Sequence, residues 1–135
     1  MNHQKILREV FDCSKTLAPV YGVRIACAIY KNNRFVSFGR NSIKSDPFHA
    51  RFSKGFKIYL HAETGAIKNA IKALGNVKDL ENCTLYIARA KFVDSSRKKM
   101  IQGLAKPCEG CQRAIAEFGI SEVVFTKDGE GFDIL

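Results

Sequence analysis

Residues 61–74, HAETGAIKNAIKAL, and residues 107–118, PCEGCQRAIAEF, decide how this chain is read. In the first stretch Ile67, Ala70, Ile71 and Leu74 share one helical face, and the pattern stops at Gly75, a residue suited to the left-handed C-terminal position. In the second, Pro107 leads into a helix expected over residues 108–118, which is left at Gly119. Each stretch therefore opens a helix with a short chemical motif: His61-Ala62-Glu63 in one, Cys108-Glu109-Gly110-Cys111 in the other.

One imidazole and two thiolates are three ligands suited to tetrahedral Zn²⁺. They leave a fourth position open for water, as a catalytic site requires and a structural one does not. Helix N-termini favour anions, which helps to hold Cys108 and Cys111 as thiolates. Glu63, two residues beyond His61, is close enough in the chain to exchange a proton with that water without itself binding metal. Each motif alone is weak, because C-x-x-C also occurs in redox and structural zinc sites. A structural zinc with Cys83 or His49 as fourth ligand is the competing reading.

Outward from these helices, residues 2–18 carry Leu7, Val10, Phe11, Leu17 and Ala18 at helical spacing, with Pro19 after them. Residues 23–30 and 34–38 read as a hairpin about the turn pair Asn32-Asn33. Residues 39–60 show no clean period and are expected to form a long ordered loop, a feature uncommon without a function. A strand is expected over 83–90, an irregular basic stretch over 91–106, and strands over 122–126 and 132–135 around Asp128-Gly129. The order is helix, two strands, helix, strand, helix, two strands: one α/β sandwich domain spanning residues 1–135, without internal repeats.

The 135 residues are 46% hydrophobic and 26% charged, enough for one packed core and too few for two. No apolar run approaches a membrane span and no secretory signal is evident, so a soluble cytoplasmic protein with no membrane partner is expected. Five cysteines at uneven spacings argue against a disulfide framework. Cys13, Cys27 and Cys83 are expected to be small core hydrophobes. The excess of 22 Lys and Arg over 13 Asp and Glu gives +9 and points to an anionic partner.

With HAE, PCEGC and Gly39-Arg40-Asn41 in this order, the chain resembles the cytidine deaminase superfamily, and the element order resembles it over nearly the whole length. The resemblance implies a three-layer α-β-α fold with a mixed sheet of about five strands. It implies His61, Cys108 and Cys111 as zinc ligands and Glu63 as the proton shuttle of a hydrolytic deaminase. It places Asn41 against the sugar of the substrate. Ala62, inside the HAE motif, and Arg89, beside the second basic stretch, are the further candidate substrate contacts.

Free cytidine deaminases usually carry a Glu shortly after this Asn; here Ser42, Ile43 and Lys44 follow, and Lys44 suits a phosphate better than a neutral sugar. Arg40, Lys44, Arg51, Lys54 and Lys57, with Arg89, Lys91, Arg97, Lys98, Lys99 and Lys106, lie in or beside the two irregular stretches, which in such a fold border the site. The first expectation is therefore deamination of cytosine to uracil in a free nucleotide, deoxycytidylate being the type example.

Its rival is the same chemistry on single-stranded DNA or RNA, with Phe48, Phe52, Phe56 and Tyr59 as stacking platforms; folded inward, they would simply anchor the loop. Deaminases acting on tRNA generally continue into a further helix after the fourth strand, so an adenosine substrate is disfavoured. A zinc- and nucleic-acid-binding accessory module is the reading of another class, and Glu63 argues against it. Family members commonly assemble, and a homo-oligomer is expected.

Overall fold

The computed structural model describes residues 2–20, 22–42 and 61–135. Helix α1 (His3–Lys15) is capped by the Asn2 side chain, which accepts from the Lys5 amide. Strands β1 (Arg24–Lys31) and β2 (Arg34–Arg40) follow as an antiparallel hairpin. Asn32 and Asn33 turn it with φ of 51° and 64°, the paired left-handed geometry that matches strand twist. Helix α2 (Ala62–Leu74) ends on Gly75 at φ 73°, and a 3-10 turn (Val77–Leu80) leads to β3 (Cys83–Phe92). Then come β4 (Met100–Gly103), α3 (Glu109–Glu117), β5 (Glu122–Thr126) and β6 (Phe132–Ile134).

The sheet runs β2-β1-β3-β5-β6, with β3 parallel to β5 and the other pairs antiparallel. It has six strands rather than about five. The addition is β4, which lies in the stretch read from sequence as irregular. The same side of β3 serves two partners: Thr84–Ile87 pair with β5, and Arg89–Phe92, which overrun β5, pair with β4. Four residues of which Ile101 alone is a strong strand former thus become a strand because β3 offers them an unpaired backbone edge.

Alternate residues divide the strands between two cores. Cys27, Ile29, Leu85, Ile87, Val123 and Phe125 pack under α2 and α3, against Ala66, Ile67, Ala70, Ala114 and Ile115. Ala26, Ala28, Tyr86, Ala88 and Val124 pack under Leu7 and Val10 of α1. The result is the expected three-layer α-β-α arrangement. Each fully buried Ile, Leu or Val in these layers contributes about 1.5–3 kcal/mol.

Cys27 and Cys83 are core residues as expected, but Cys13 is exposed. The inward stripe of α1 is Leu7, Val10 and Ser14, and Cys13 falls off it. Ser14 fits inside because its hydroxyl donates to the Phe11 carbonyl at 2.6 Å. Among the described residues no helix is long and apolar enough to cross a membrane.

Candidate active site

Strands β2, β3 and β5 all point the same way, and the N-termini of α2 and α3 meet at their carboxyl edge. Helix α2 is held there by β2. The Ser37 hydroxyl donates to the Ala66 carbonyl at 2.7 Å, and the Asn69 amide donates to the Phe38 carbonyl at 2.8 Å. Gly39 lies so close beneath the first turn of α2 that a Cβ would overlap Ala62 O and Ala66 N and sit 2.9 Å from Ala66 Cα. The glycine of Gly39-Arg40-Asn41 is thus a seat for α2, a role no signal in a single sequence reveals. Helix α3 is reached from β4 through Leu104–Pro107, where the Ala105 amide donates to Thr126 O at the end of β5.

His61 and Cys108 occupy the N-cap positions of α2 and α3, and neither side chain caps its own helix. Ser, Thr, Asp or Asn at such a position would be worth about 1 kcal/mol. Here that stabilisation is given up and the two side chains turn towards each other. His61 Nδ1 lies 3.5 Å from Cys108 Sγ and 3.4 Å from Cys111 Sγ. All three ligand atoms fall within 4.8 Å of one another.

Tetrahedral zinc with ordinary Zn–N and Zn–S bonds requires an N···S separation of about 3.6 Å. The donor set and its spacing therefore fit the ion, with Nδ1 as the histidine ligand. Cys111 is fully buried, whereas His61 and Cys108 are half-buried, so the open side of the group faces outward.

The thiols share a proton unequally. A hydrogen bond from Cys111, helped by His61 and opposed by burial, holds Cys108 down at about 3, far below an ordinary thiol. The same bond, together with burial and the nearby Glu63 carboxylate, drives Cys111 up. A dication bound here would displace that proton and be held by both sulfurs as thiolates. Glu63, in the first turn of α2, is only 5% exposed. Burial raises its carboxyl above the usual range, and its backbone hydrogen bond and His61 oppose the shift. It lies against this group without belonging to it.

Among the described residues no other group of His, Cys, Asp and Glu is placed to hold a metal. Cys83 does not supply a fourth ligand: it begins β3 at the opposite edge of the sheet, with its thiol on Asp79 O at 3.5 Å. His49 lies outside the described residues, as do Lys44, Arg51, Lys54, Lys57 and the aromatics Phe48, Phe52, Phe56 and Tyr59.

The sequence profile of the cytidine and deoxycytidylate deaminase zinc-binding region matches residues 1–127. The chain belongs to this family. No curated protein sequence matches it, but solved structures do. A cytidine deaminase from Burkholderia pseudomallei superposes with a TM-score of 0.67 at 17% identity, covering 100% of this chain and 92% of its own. A dCMP deaminase from the cyanophage S-TIM5 gives 0.58 at 17%, over 95% and 86%. A guanine deaminase from Bacillus subtilis gives 0.60 at 20%; 95% of this chain is covered, but the chain spans only 66% of that protein.

Within this deaminase fold, the structure brings together the two motifs found in the sequence. Ala62 is buried in the first turn of α2. Asn41 and Arg89, picked out separately in the sequence, fall in one transverse row. Arg89 of β3 pairs with Ile25 of β1 on one side and Gly103 of β4 on the other. Ile25 is in turn bonded to Asn41. The Asn41 Oδ1 accepts from the Ile25 amide at 3.2 Å, and its Nδ2 donates to the Val23 carbonyl at 3.0 Å. Asn41 thus extends the β1–β2 ladder by one residue, leaving one N–H and one lone pair of its amide for other partners.

Proposed function

We propose that this chain is a zinc-dependent hydrolytic deaminase that converts cytosine to uracil in a free nucleotide. The observation that carries the chemistry is the buried Glu63 carboxyl beside a three-ligand His61, Cys108 and Cys111 group with an open side. His61, Cys108 and Cys111 would hold the zinc, which would supply an activated water for attack on the amino-bearing carbon of the base.

The protein's own contribution is proton handling. Glu63 takes a proton from water and passes it to the ring nitrogen beside the reacting carbon, then takes the proton of the hydroxyl newly bonded to that carbon and hands it to the amino group, which leaves as ammonia as the carbonyl forms. Its raised affinity for a proton suits both halves of that task. The α2 and α3 dipoles point their positive ends at the centre where negative charge develops. Asn41, Ala62 and Arg89 are read as substrate contacts. A homo-oligomer in the cytoplasm completes the proposal.

A second reading, the same reaction on a single strand of DNA or RNA, is favoured by the β3–β4 hairpin. There the guanidinium carbons of Arg24 and Arg97 lie 5.2 and 6.0 Å from the Phe92 ring centroid. Lys98 and Lys99 are exposed beside it.

The deciding experiment is mass-spectrometric detection of uracil products from nucleosides, nucleotides and single-stranded oligonucleotides incubated with the zinc-loaded protein. Conversion of cytosine nucleotides alone supports the first reading, and conversion only within oligonucleotides replaces it with the second. Silence in all pools sinks the deaminase reading.

A further inference from the structure

Arg89 is the group in this fold whose own chemistry is left unanswered. It stands near the carboxyl end of β3 with the parity of Leu85 and Ile87, so its side chain leaves the face of the sheet that carries α2 and α3. Its cross-strand neighbour Ile25 packs into the same core.

On its other side the sheet offers Gly103, and the arginine lies over it. A Cβ at Gly103 would come within 3.0 Å of Arg89 Cδ, 3.2 Å of Cγ and 3.3 Å of Nε. The backbone at Gly103 is fixed from beneath by Thr126, whose hydroxyl donates to its carbonyl at 2.7 Å. The missing side chain therefore forms a notch, and the stem of the arginine fills it.

Arg89 Nε is buried there without a hydrogen-bond acceptor among the described residues. No carboxylate among them forms an ion pair with the guanidinium either. A buried N–H without an acceptor destabilises the fold. An acceptor arriving from outside would satisfy it. The planar fork of Arg suits a phosphate, which offers paired oxygens to adjacent N–H donors.

We infer that Arg89, aimed by the Gly103 notch, binds a phosphate of the substrate and makes the enzyme select phosphorylated over unphosphorylated cytosine compounds. The inference rests on the deaminase reading for the reaction, but not for the binding. The phosphate is either the monoester of a free nucleotide or a diester within a strand; the chemistry at Arg89 is the same.

The test measures kcat/KM on zinc-loaded protein for deoxycytidine, deoxycytidine monophosphate and a thymidine oligonucleotide bearing one internal cytosine. Wild type is expected to favour one of the phosphorylated substrates over the nucleoside by about 100-fold or more. The monophosphate leading identifies the monoester, and the oligonucleotide leading identifies the strand. In Arg89→Ala the ratio should collapse towards one. Gly103→Val, which leaves the arginine in place but pushes it from its notch, should do the same. Arg89→Lys, which keeps the charge and loses the fork, should fall between and carries the test if the alanine variant does not fold.

A ratio near one in the wild type overturns the inference. So does a ratio that survives Arg89→Ala while both rates fall together, which is what a purely structural arginine would give. A second readout needs no turnover: inorganic phosphate and deoxyuridine monophosphate should raise the melting temperature of wild type and not of Arg89→Ala. That shift without any deamination would fail the reaction and keep the phosphate site; its absence in wild type refutes the site.

Discussion

The two faces of the sheet are built from alternate residues of the same strands, yet they hold their helices in different ways. Under α1 the contact is made by side chains of ordinary size, with Leu7 and Val10 over Tyr86, Ala88 and Val124. The end of the helix is tied by His3, whose Nδ1 lies 2.8 Å from the Tyr86 hydroxyl and whose Nε2 lies 3.0 Å from the Glu122 carboxylate. Burial, with Glu122 and Tyr30 adding to it, pushes the Tyr86 phenol up to about 12, so it stays a neutral partner.

Under α2 the side-chain packing is joined at the first turn by a contact of backbone against backbone: Gly39 beneath Ala62 and Ala66, with Ala70 continuing the small-residue face. A helix resting on side-chain tips can shift by a few tenths of an ångström as they repack. One resting on a peptide plane cannot. The ligands of a metal need the second kind of support.

Substitutions should divide along the same line. The largest effect belongs to Cys108→Ala, expected to take bound zinc from about one equivalent to near zero by elemental analysis; unchanged zinc content would remove Cys108 from the ligand set. Next, Glu63→Gln should keep zinc and lower deamination by about 100- to 10,000-fold.

The glutamine also has a stability signature in the metal-free protein. Burial raises the Glu63 carboxyl, so the folded state prefers it protonated. Its stabilising contribution is present below the unfolded-state value and is lost as pH rises through the folded-state value. Glu63→Gln should therefore be more stable than wild type near neutrality, with the advantage shrinking as the solution is acidified; denaturant titrations at several pH values measure this. An advantage that grows on acidification would contradict the burial.

Gly39→Ala comes third. It should cost about 1–3 kcal/mol of stability by overpacking. Because the clash is at the first turn of α2, zinc affinity should fall with it, as read by competition with a chelator. Tyr86→Phe should cost about 1 kcal/mol through the lost His3 contact and leave zinc content and turnover as they were. A Tyr86→Phe protein that folds but no longer deaminates would break the division between the faces. Cys13→Ser, on the exposed side of α1, should stay within about 0.5 kcal/mol in the same unfolding measurement.

Much of this was legible in the sequence where local chemistry and tertiary need agree. Helix α2 begins and ends where His61 and Gly75 say it should, and the hairpin turns on Asn32-Asn33 because Asn tolerates the left-handed region. The two motifs met as expected because each sits on a helix terminus, a place the sequence marks strongly. What could not be read depends on a partner distant in the chain. Met100–Gly103 has no alternation of its own and is a strand only because β3 overruns β5. Gly39 looks like a loop glycine until α2 is laid across it. Cys13 falls outside the core it is expected to join because an apolar spacing count on α1 admits more than one stripe, and the polar Ser14 completes the true one.

The central position of β3 bears on how the chain reaches this state. Its pairing with β1 joins residues about 50–65 positions apart, and it is the strand through which both cores are connected. Neither helical layer has a complete floor until that pairing closes. A chain of this topology is expected to fold slowly for its length, with the β1–β3 register as the slow step and both layers consolidating afterwards. Mutations in β3 should then be felt in the rate of folding, and mutations in α1 mainly in the rate of unfolding.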